Sequence, residues 1–143
     1  MSKFLTRLTQ FVLLAGICAG LAASAAAPSA AKVTRVTLKF GPSRTKLKYS
    51  GACPLRVDLI GNITATGRGQ VRFQMLADGH VGIWHEEVMD FSGSGTKEVH
   101  KVLPDMGSNV WKPGSRHTGW YTLKVLAPQQ MESDKAEYEI TCR

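Results

Sequence analysis

The 143-residue sequence lacks the extremes of composition that mark unusual classes of protein. Apolar residues make up 43% of the chain and charged residues 20%, close to the average of globular proteins. These values exclude a wholly disordered chain, a collagen-like repeat and a polytopic membrane protein. After residue 32, no segment shows convincing helical periodicity, and no linker is long enough to separate two domains. One domain is therefore expected after that point.

Motifs of the common catalytic sites are missing as well. His85-Glu86 begins like the helix motif of zinc proteases, but Met89 stands where the second histidine must be. Gly93-Ser94-Gly95 lacks the G-x-S-x-G spacing of a nucleophile elbow. Gly67-Arg68-Gly69 lacks the third glycine of a dinucleotide-binding loop, and the chain has no P-loop and no calcium loop. We therefore expect a protein that is not an enzyme, with no catalytic residue and no cofactor.

The N-terminus, in contrast, carries the pattern of a bacterial export signal. Two basic residues precede an apolar run over residues 11–21, and Ala23-Ser24-Ala25 then forms an A-x-A cleavage site. This pattern predicts a signal peptide and small-residue processing region over residues 1–31, cleaved near Ala25. The folded domain would span residues 32–143. The processed chain would be periplasmic or secreted, with no stable membrane anchor.

Cysteine is scarce, with three in the chain. Cys18 lies inside the apolar run of the signal and would be removed with it. Cys53 and Cys142 remain, and an even pair in an exported chain predicts one disulfide bond. The alternative is a pair of reduced, buried cysteines.

Acidic residues are scarce in the first half of the expected domain. Between residues 32 and 72 there are nine basic residues and one acid, Asp58, whereas residues 73–143 contain seven basic residues and ten acids. A basic surface of this kind could meet an anionic envelope component or an acidic partner. It could equally keep exposed strands soluble and block edge-to-edge pairing. Nucleic acid is not expected as a partner, because export separates the chain from it.

Short runs of alternating apolar and polar residues recur between turn residues, which is typical of β-strands. The clearest run is 119–126, in which Tyr121, Leu123 and Val125 share one face. Seven to nine such runs follow residue 32, at the spacing of a sandwich or a barrel. We expect Met75 and Trp120 in the core.

Two strand details are also predicted. Gly61 interrupts the alternation that begins at Leu55, which indicates a β-bulge at this glycine. Pro104 is expected to end the strand that starts at Thr96, and a long loop is expected from Met106 to Thr118.

Several segments resemble those of bacterial exported immunoglobulin-like or fibronectin-III-like modules, over residues 33–143. The segments are Tyr49–Pro54, Gly61–Thr64, Val71–Phe73, Asp78-Gly79, Gly119-Trp120 and Ala136–Cys142. The resemblance implies an all-β fold, a single immunoglobulin-like β-sandwich of about seven to nine strands. The two cysteines depart from the antibody pattern, because they lie at the start of the second strand and at the end of the last. Both positions fall at the same end of such a sandwich.

A sandwich of this kind supports many roles, so function must be sought in its irregular segments. Residues 79–91 and 104–118 are the predicted recognition segments, since loops on rigid scaffolds often carry binding. Trp84, His85 and Trp111 are the candidate contact residues there. The sequence thus favours a non-enzymatic, exported binding or structural module of the bacterial envelope. Its partner would be an unidentified protein or envelope component.

Two alternatives stay open. Histidine and methionine suit copper, so the chain could be a periplasmic metal-handling protein. The candidate ligands are His80, His85, His100, His117, Met89 and Met106. The histidines are scattered along the sequence, however, so the preferred expectation is that the chain has no metal site. A domain of this size could also be a small hydrolase, or a small enzyme inhibitor that presents a loop.

Overall fold

The computed structural model describes residues 30–78, 84–107 and 111–143. Ala25, Cys18 and His80, which figure in the predictions above, lie outside these residues. The described residues form nine strands and no helix, and so no helix long and apolar enough to cross a membrane. The strands are β1 (Lys32–Phe40), β2 (Lys46–Gly51), β3 (Leu55–Thr66), β4 (Gly69–Ala77), β5 (Glu87–Phe91), β6 (Gly95–Met106), β7 (Arg116–Ala127), β8 (Met131–Glu132) and β9 (Ala136–Cys142).

The strands form two sheets. One has three antiparallel strands in the order β1-β3-β6, and the other runs β2-β9-β7-β4-β5, with β8 paired to β7. The pairing of β2 with β9 is parallel, whereas the other pairings are antiparallel. The predicted all-β sandwich of seven to nine strands is confirmed, and its two-sheet arrangement is consistent with the expected immunoglobulin-like form.

The core lies between the sheets and follows the predicted alternation. Tyr121, Leu123 and Val125 of β7 are all buried, and the predicted burial of Met75 is confirmed. They meet side chains of the opposite sheet that are fully enclosed, among them Phe40, Leu59 and Ile63. Period-two burial on both sheets is what a two-layer sandwich requires.

The chain changes sheets between β1 and β2, at Gly41-Pro42. Phe40 ends β1, and its amide donates a hydrogen bond to the carbonyl oxygen of Arg44 across 2.7 Å. The tight turn redirects the chain, so β2 pairs with β9 of the other sheet instead of continuing along β3. This switch brings the end of β2 beside the end of β9.

The predicted β-bulge at Gly61 is wrong. β3 stays in register there, and Gly61 is buried on the same face as Leu59 and Ile63. A Cβ at this position would lie 2.7 Å from Leu123 Cδ2. The glycine therefore accommodates Leu123 of the opposite sheet and leaves the alternation of the strand unbroken.

Two further expectations are wrong. β6 continues through Pro104 to Met106, which is possible because β6 is an edge strand, where a missing amide is tolerated. Trp120 is half-buried on the outer face of its sheet, with Lys135 Nζ 4.0 Å from the ring centroid. Trp120 alternates with the inward-facing Tyr121, and this places it outside the core.

Candidate recognition site at the disulfide end

One end of the sandwich is fastened by a covalent bond. Cys53 and Cys142 form the predicted disulfide, with an S–S distance of 2.08 Å and 5.4 Å between their Cα atoms. The bond follows from the sheet register, because Gly51 of β2 lies opposite Cys142 of β9. Arg143 N–H donates to Gly51 O across 2.8 Å, and Gly114 N–H donates to Cys142 O across 2.7 Å. We call this region the disulfide end.

Trp111 is held in a fixed position at the disulfide end. Its ring stacks on His117, with 4.1 Å between the centroids and 5° between the planes, and a second ring, Tyr138, lies 6.3 Å away. His117 Nε2 lies 2.7 Å from Ser115 Oγ, which donates in turn to the carbonyl of Lys112. The loop therefore holds the imidazole that supports the tryptophan.

Gly107 allows this packing. Its φ of 88° falls in the left-handed region that favours glycine. A Cβ there would lie 2.7 Å from Trp111 Cε3 and 3.3 Å from Cys53 Sγ. The tryptophan and the disulfide thus approach the backbone more closely than any side chain would permit.

A cavity of about 270 Å³ opens between Trp111 and the disulfide. Polar atoms make up more of its exposed lining than apolar atoms do, and among the described lining residues Arg143 contributes a cation. The lining residues are Cys53, Pro54, Gly107, Trp111, Pro113, Cys142 and Arg143. A small cavity with a stacked aromatic wall can accept one side chain of a partner, its apolar part against the tryptophan ring.

The structure does not bring all the predicted contact residues to this cavity. Trp84 is half-buried beside β4 and β7, 6.4 Å from the ring of Tyr121, and its carbonyl accepts a hydrogen bond from Gln74. His85 is exposed next to it. Among the described residues, a series of ring contacts through Tyr121 and Tyr138 links Trp84 to Trp111.

The two tyrosines between the tryptophans, Tyr121 and Tyr138, have raised pKa values. Burial is the main reason that the pKa of Tyr121 is raised far above its usual value, and Tyr138 and Asp78 add to the shift. Burial, followed by Asp78, also raises the pKa of Tyr138. Asp78 is held by hydrogen bonds in both directions with the backbone of Trp120, each 2.8 Å. These tyrosines are therefore neutral packing groups around neutral pH.

The histidines considered as metal ligands lie apart. His100 Nε2 is 3.2 Å from Asp58 Oδ1 on the outer face of the three-stranded sheet, whereas His117 stacks on Trp111. Met106 is buried and Met89 is half-buried. Within residues 30–78, 84–107 and 111–143, no group of three or more His, Cys, Asp or Glu side chains could hold a metal ion.

A groove that the sequence did not reveal crosses the outer face of the other sheet, with a volume of about 590 Å³. Lysines of β2 and glutamates of β9 line it, together with Trp120. Lys46 Nζ lies 3.0 Å from Glu137, and Glu139 lies 2.8 Å from Arg116. Lys46 and Glu137 thus pair within the groove, whereas Glu139 pairs with Arg116, which is not one of the lining residues. Alternating Lys and Glu are visible in the two segments, but their contact depends on the parallel pairing of β2 with β9.

Comparison with known proteins returned little. No protein-family profile matches the chain, and no curated protein matches it. Among solved structures, the chain is similar to the periplasmic chaperone SfaE, with a TM-score of 0.44 and 12% sequence identity. The alignment covers 76% of this chain and 58% of the chaperone chain, so this chain spans less than two thirds of that protein. A likeness of this size carries no argument about function.

Proposed function

We propose that the chain is a non-enzymatic, exported binding domain that captures a protein partner at the disulfide end. The observation that carries the proposal is the stack of Trp111 on His117 beside the cavity at the disulfide. A rigid aromatic side chain next to a small cavity is the usual composition of an energetically dominant contact. The partner inserts one apolar side chain between Trp111 and the disulfide, while Arg143 attracts an acidic or polar neighbour of that side chain.

Export is part of the same proposal. Residues 1–31 contain the signal peptide and processing region, and residues 32–143 contain the binding domain. Its support is the N-terminal sequence pattern together with the Cys53–Cys142 bond, since disulfides persist in oxidising compartments. Ala31 is buried in the core. Cleavage near Ala25 keeps this residue in the processed protein, whereas cleavage after Ala31 would remove it.

Site-specific photo-cross-linking tests the binding site. A photoreactive side chain at Trp111 is expected to yield a discrete adduct with one partner protein in the exported fraction. The same group at Val88, which is 54% exposed on β5, is the control and is expected to yield none. Identical adducts from both positions would show contact without a defined site and would contradict the proposal.

Affinity measurements with the cross-linked partner complete the test. Trp111→Ala is expected to weaken binding by at least about 30-fold, the effect of losing a dominant aromatic contact. Lys112→Ala, an exposed neighbour in the same loop, is expected to leave the affinity unchanged. If folded Trp111→Ala binds as tightly as the unmodified protein, the assignment of the site is wrong.

A further inference from the structure

A second surface, distinct from the disulfide end, lies on the outer face of the three-stranded sheet. It contains an open cavity of about 330 Å³. The pairing of β1 with β3 sets Arg35 opposite Thr64 and Thr37 opposite Asn62, and the pairing of β3 with β6 sets Thr64 opposite Thr96. We call this surface the basic patch. Its defining residues are Arg35, Thr37, Lys39, Asn62, Thr64 and Thr96.

The basic patch carries positive charge that its surroundings leave uncompensated. Arg35 and Lys39 are exposed, and within the described part of the chain neither forms an ion pair. Asp58, the one acid between residues 32 and 72, faces His100 at 3.2 Å. Glu98 lies opposite Asn62, on the β6 side of the face. An anion seated against β1 therefore meets two cations and no lining carboxylate.

Neutral hydrogen-bonding groups fill the space between the two cations. Arg35 and Lys39 are four residues apart on one strand face, about 13 Å at the rise of a strand. Between and beside them lie three threonine hydroxyls and one amide. Thr64 and Thr96 hydrogen-bond to each other across 2.8 Å, which orders their hydroxyls. Hydroxyl and amide groups can both donate to and accept from the hydroxyl groups of a sugar.

We propose that the basic patch binds an anionic polysaccharide. Acidic groups of the polymer pair with Arg35 and Lys39, and sugar hydroxyls between them bond to the threonines and to Asn62. Among the described residues that line the cavity, none is aromatic and Ile60 is the main apolar contact. A protein partner would need a larger apolar anchor, and a single-stranded nucleic acid would need aromatic platforms. The concave shape suits a chain lying in the groove better than a flat lipid surface.

The test measures binding of dextran sulfate, a sulfated polysaccharide, with uncharged dextran as the comparison. At about 0.15 M salt, weak unspecific attraction is largely screened. Arg35→Gln combined with Lys39→Gln is expected to weaken binding by at least about tenfold, because two charge-assisted hydrogen bonds are lost. Lys48→Gln combined with Lys124→Gln removes the same net charge from the outer face of the other sheet. This control is expected to change the affinity by less than about twofold.

A third variant tests the polar part of the basic patch. Asn62→Ala combined with Thr37→Ala leaves all charges in place and is expected to weaken dextran sulfate binding about threefold to tenfold. If the patch variant (Arg35→Gln with Lys39→Gln) and the control variant (Lys48→Gln with Lys124→Gln) lost affinity equally, net charge alone would explain the binding. That result would overturn the proposal. So would an absence of dextran sulfate binding by the unmodified protein. Patch-dependent binding to anionic phosphatidylglycerol vesicles in place of dextran sulfate would also overturn it, in favour of a membrane surface.

Discussion

At the level of single residues, glycines decide where the aromatic and core side chains can lie. A Cβ at Gly119 would overlap the hydroxyl of Tyr138, and one at Gly107 would be 2.7 Å from Trp111. Gly61 leaves similar room for Leu123. Gly61 and Gly119 make these contacts with residues of other strands that are distant in sequence, whereas Gly107 and Trp111 are four residues apart. The consequence is measurable at the most deeply buried of the three.

Gly61→Ala is expected to destabilise the protein by about 1–3 kcal/mol, because the added methyl group overpacks the core against Leu123. Urea unfolding gives this free energy. The control is Gly95→Ala, since a Cβ at Gly95 meets nothing within 4 Å. Adding Leu123→Val to Gly61→Ala should cost less than the two single changes together, because the clashing methyl group is withdrawn. Strict additivity would show that the contact is not the cause.

Tyr121 links stability to pH on the alkaline side. Burial raises its pKa in the folded protein, whereas the unfolded chain has the ordinary value of about 10. Above pH 10, the unfolded state therefore loses the proton while the folded state keeps it, and stability falls. The loss is up to about 1.4 kcal/mol per pH unit. Below pH 10 the contribution is complete and does not vary.

Tyr121→Phe removes this titration and retains the ring that contacts Phe40 and Tyr138. Urea unfolding of both proteins at pH 8 and at pH 11 provides the measurement. The variant is expected to lose less stability between the two pH values than the unmodified protein does. An equal loss in the variant would assign the alkaline effect to other groups.

At the level of strands, the parallel pairing of β2 with β9 organises the candidate site. This pairing sets Gly51 opposite Cys142 and places the lysines of β2 beside the glutamates of β9. Because β2 joins the other sheet, β1 is an edge strand of the smaller sheet. Among the described strands, it pairs with β3 alone. A side chain from the turn after β7 supports this edge. Gln129 Nε2 donates a hydrogen bond to the carbonyl of Val33, at the register shift of β1.

Replacement of Gln129 by alanine is therefore expected to loosen β1. The Val33 carbonyl would lose a half-buried partner, at a cost of about 1 kcal/mol. Hydrogen exchange should accelerate for amides around Val33 and stay unchanged in β4, because opening of this edge is local. Gln130→Ala, a change at the exposed neighbour, serves as the matched control. Uniform acceleration across both sheets would indicate a global effect instead.

Local pattern explains what the sequence could predict. The inward face of β7 and the burial of Met75 follow from alternation alone, and the cysteine pairing follows from their number. The stack of His117 on Trp111 could not be predicted, because a loop without periodicity joins the two residues. The error at Gly61 has a related cause. A glycine that serves a contact with the opposite sheet looks, in sequence, like an interruption of its own strand.

At the level of the whole molecule, the two sheets differ in how they compensate charge. On the outer face of the larger sheet, Lys46 and Arg116 pair with glutamates of β9. On the smaller sheet, Arg35 and Lys39 have no comparable partner among the described residues. Part of the basic excess between positions 32 and 72 therefore lies unpaired on this face, while Lys46, Lys48 and Arg72 belong to strands of the larger sheet. The disulfide end and the basic patch are separate surfaces, which allows the two proposals to be tested independently.

The disulfide ties the last strand to the loop before β3 and closes a chain loop of 89 residues. Replacing Cys53 and Cys142 together by serine is expected to destabilise the protein by about 4–5 kcal/mol, mainly because the unfolded chain gains freedom. Urea unfolding of the double variant beside the unmodified protein measures this loss. Intact mass of the exported protein checks the premise, since the bonded form is two hydrogen atoms lighter than the reduced form and should begin near residue 26. A stability loss below about 1 kcal/mol, or two free thiols in exported protein, would contradict the role assigned to the bond.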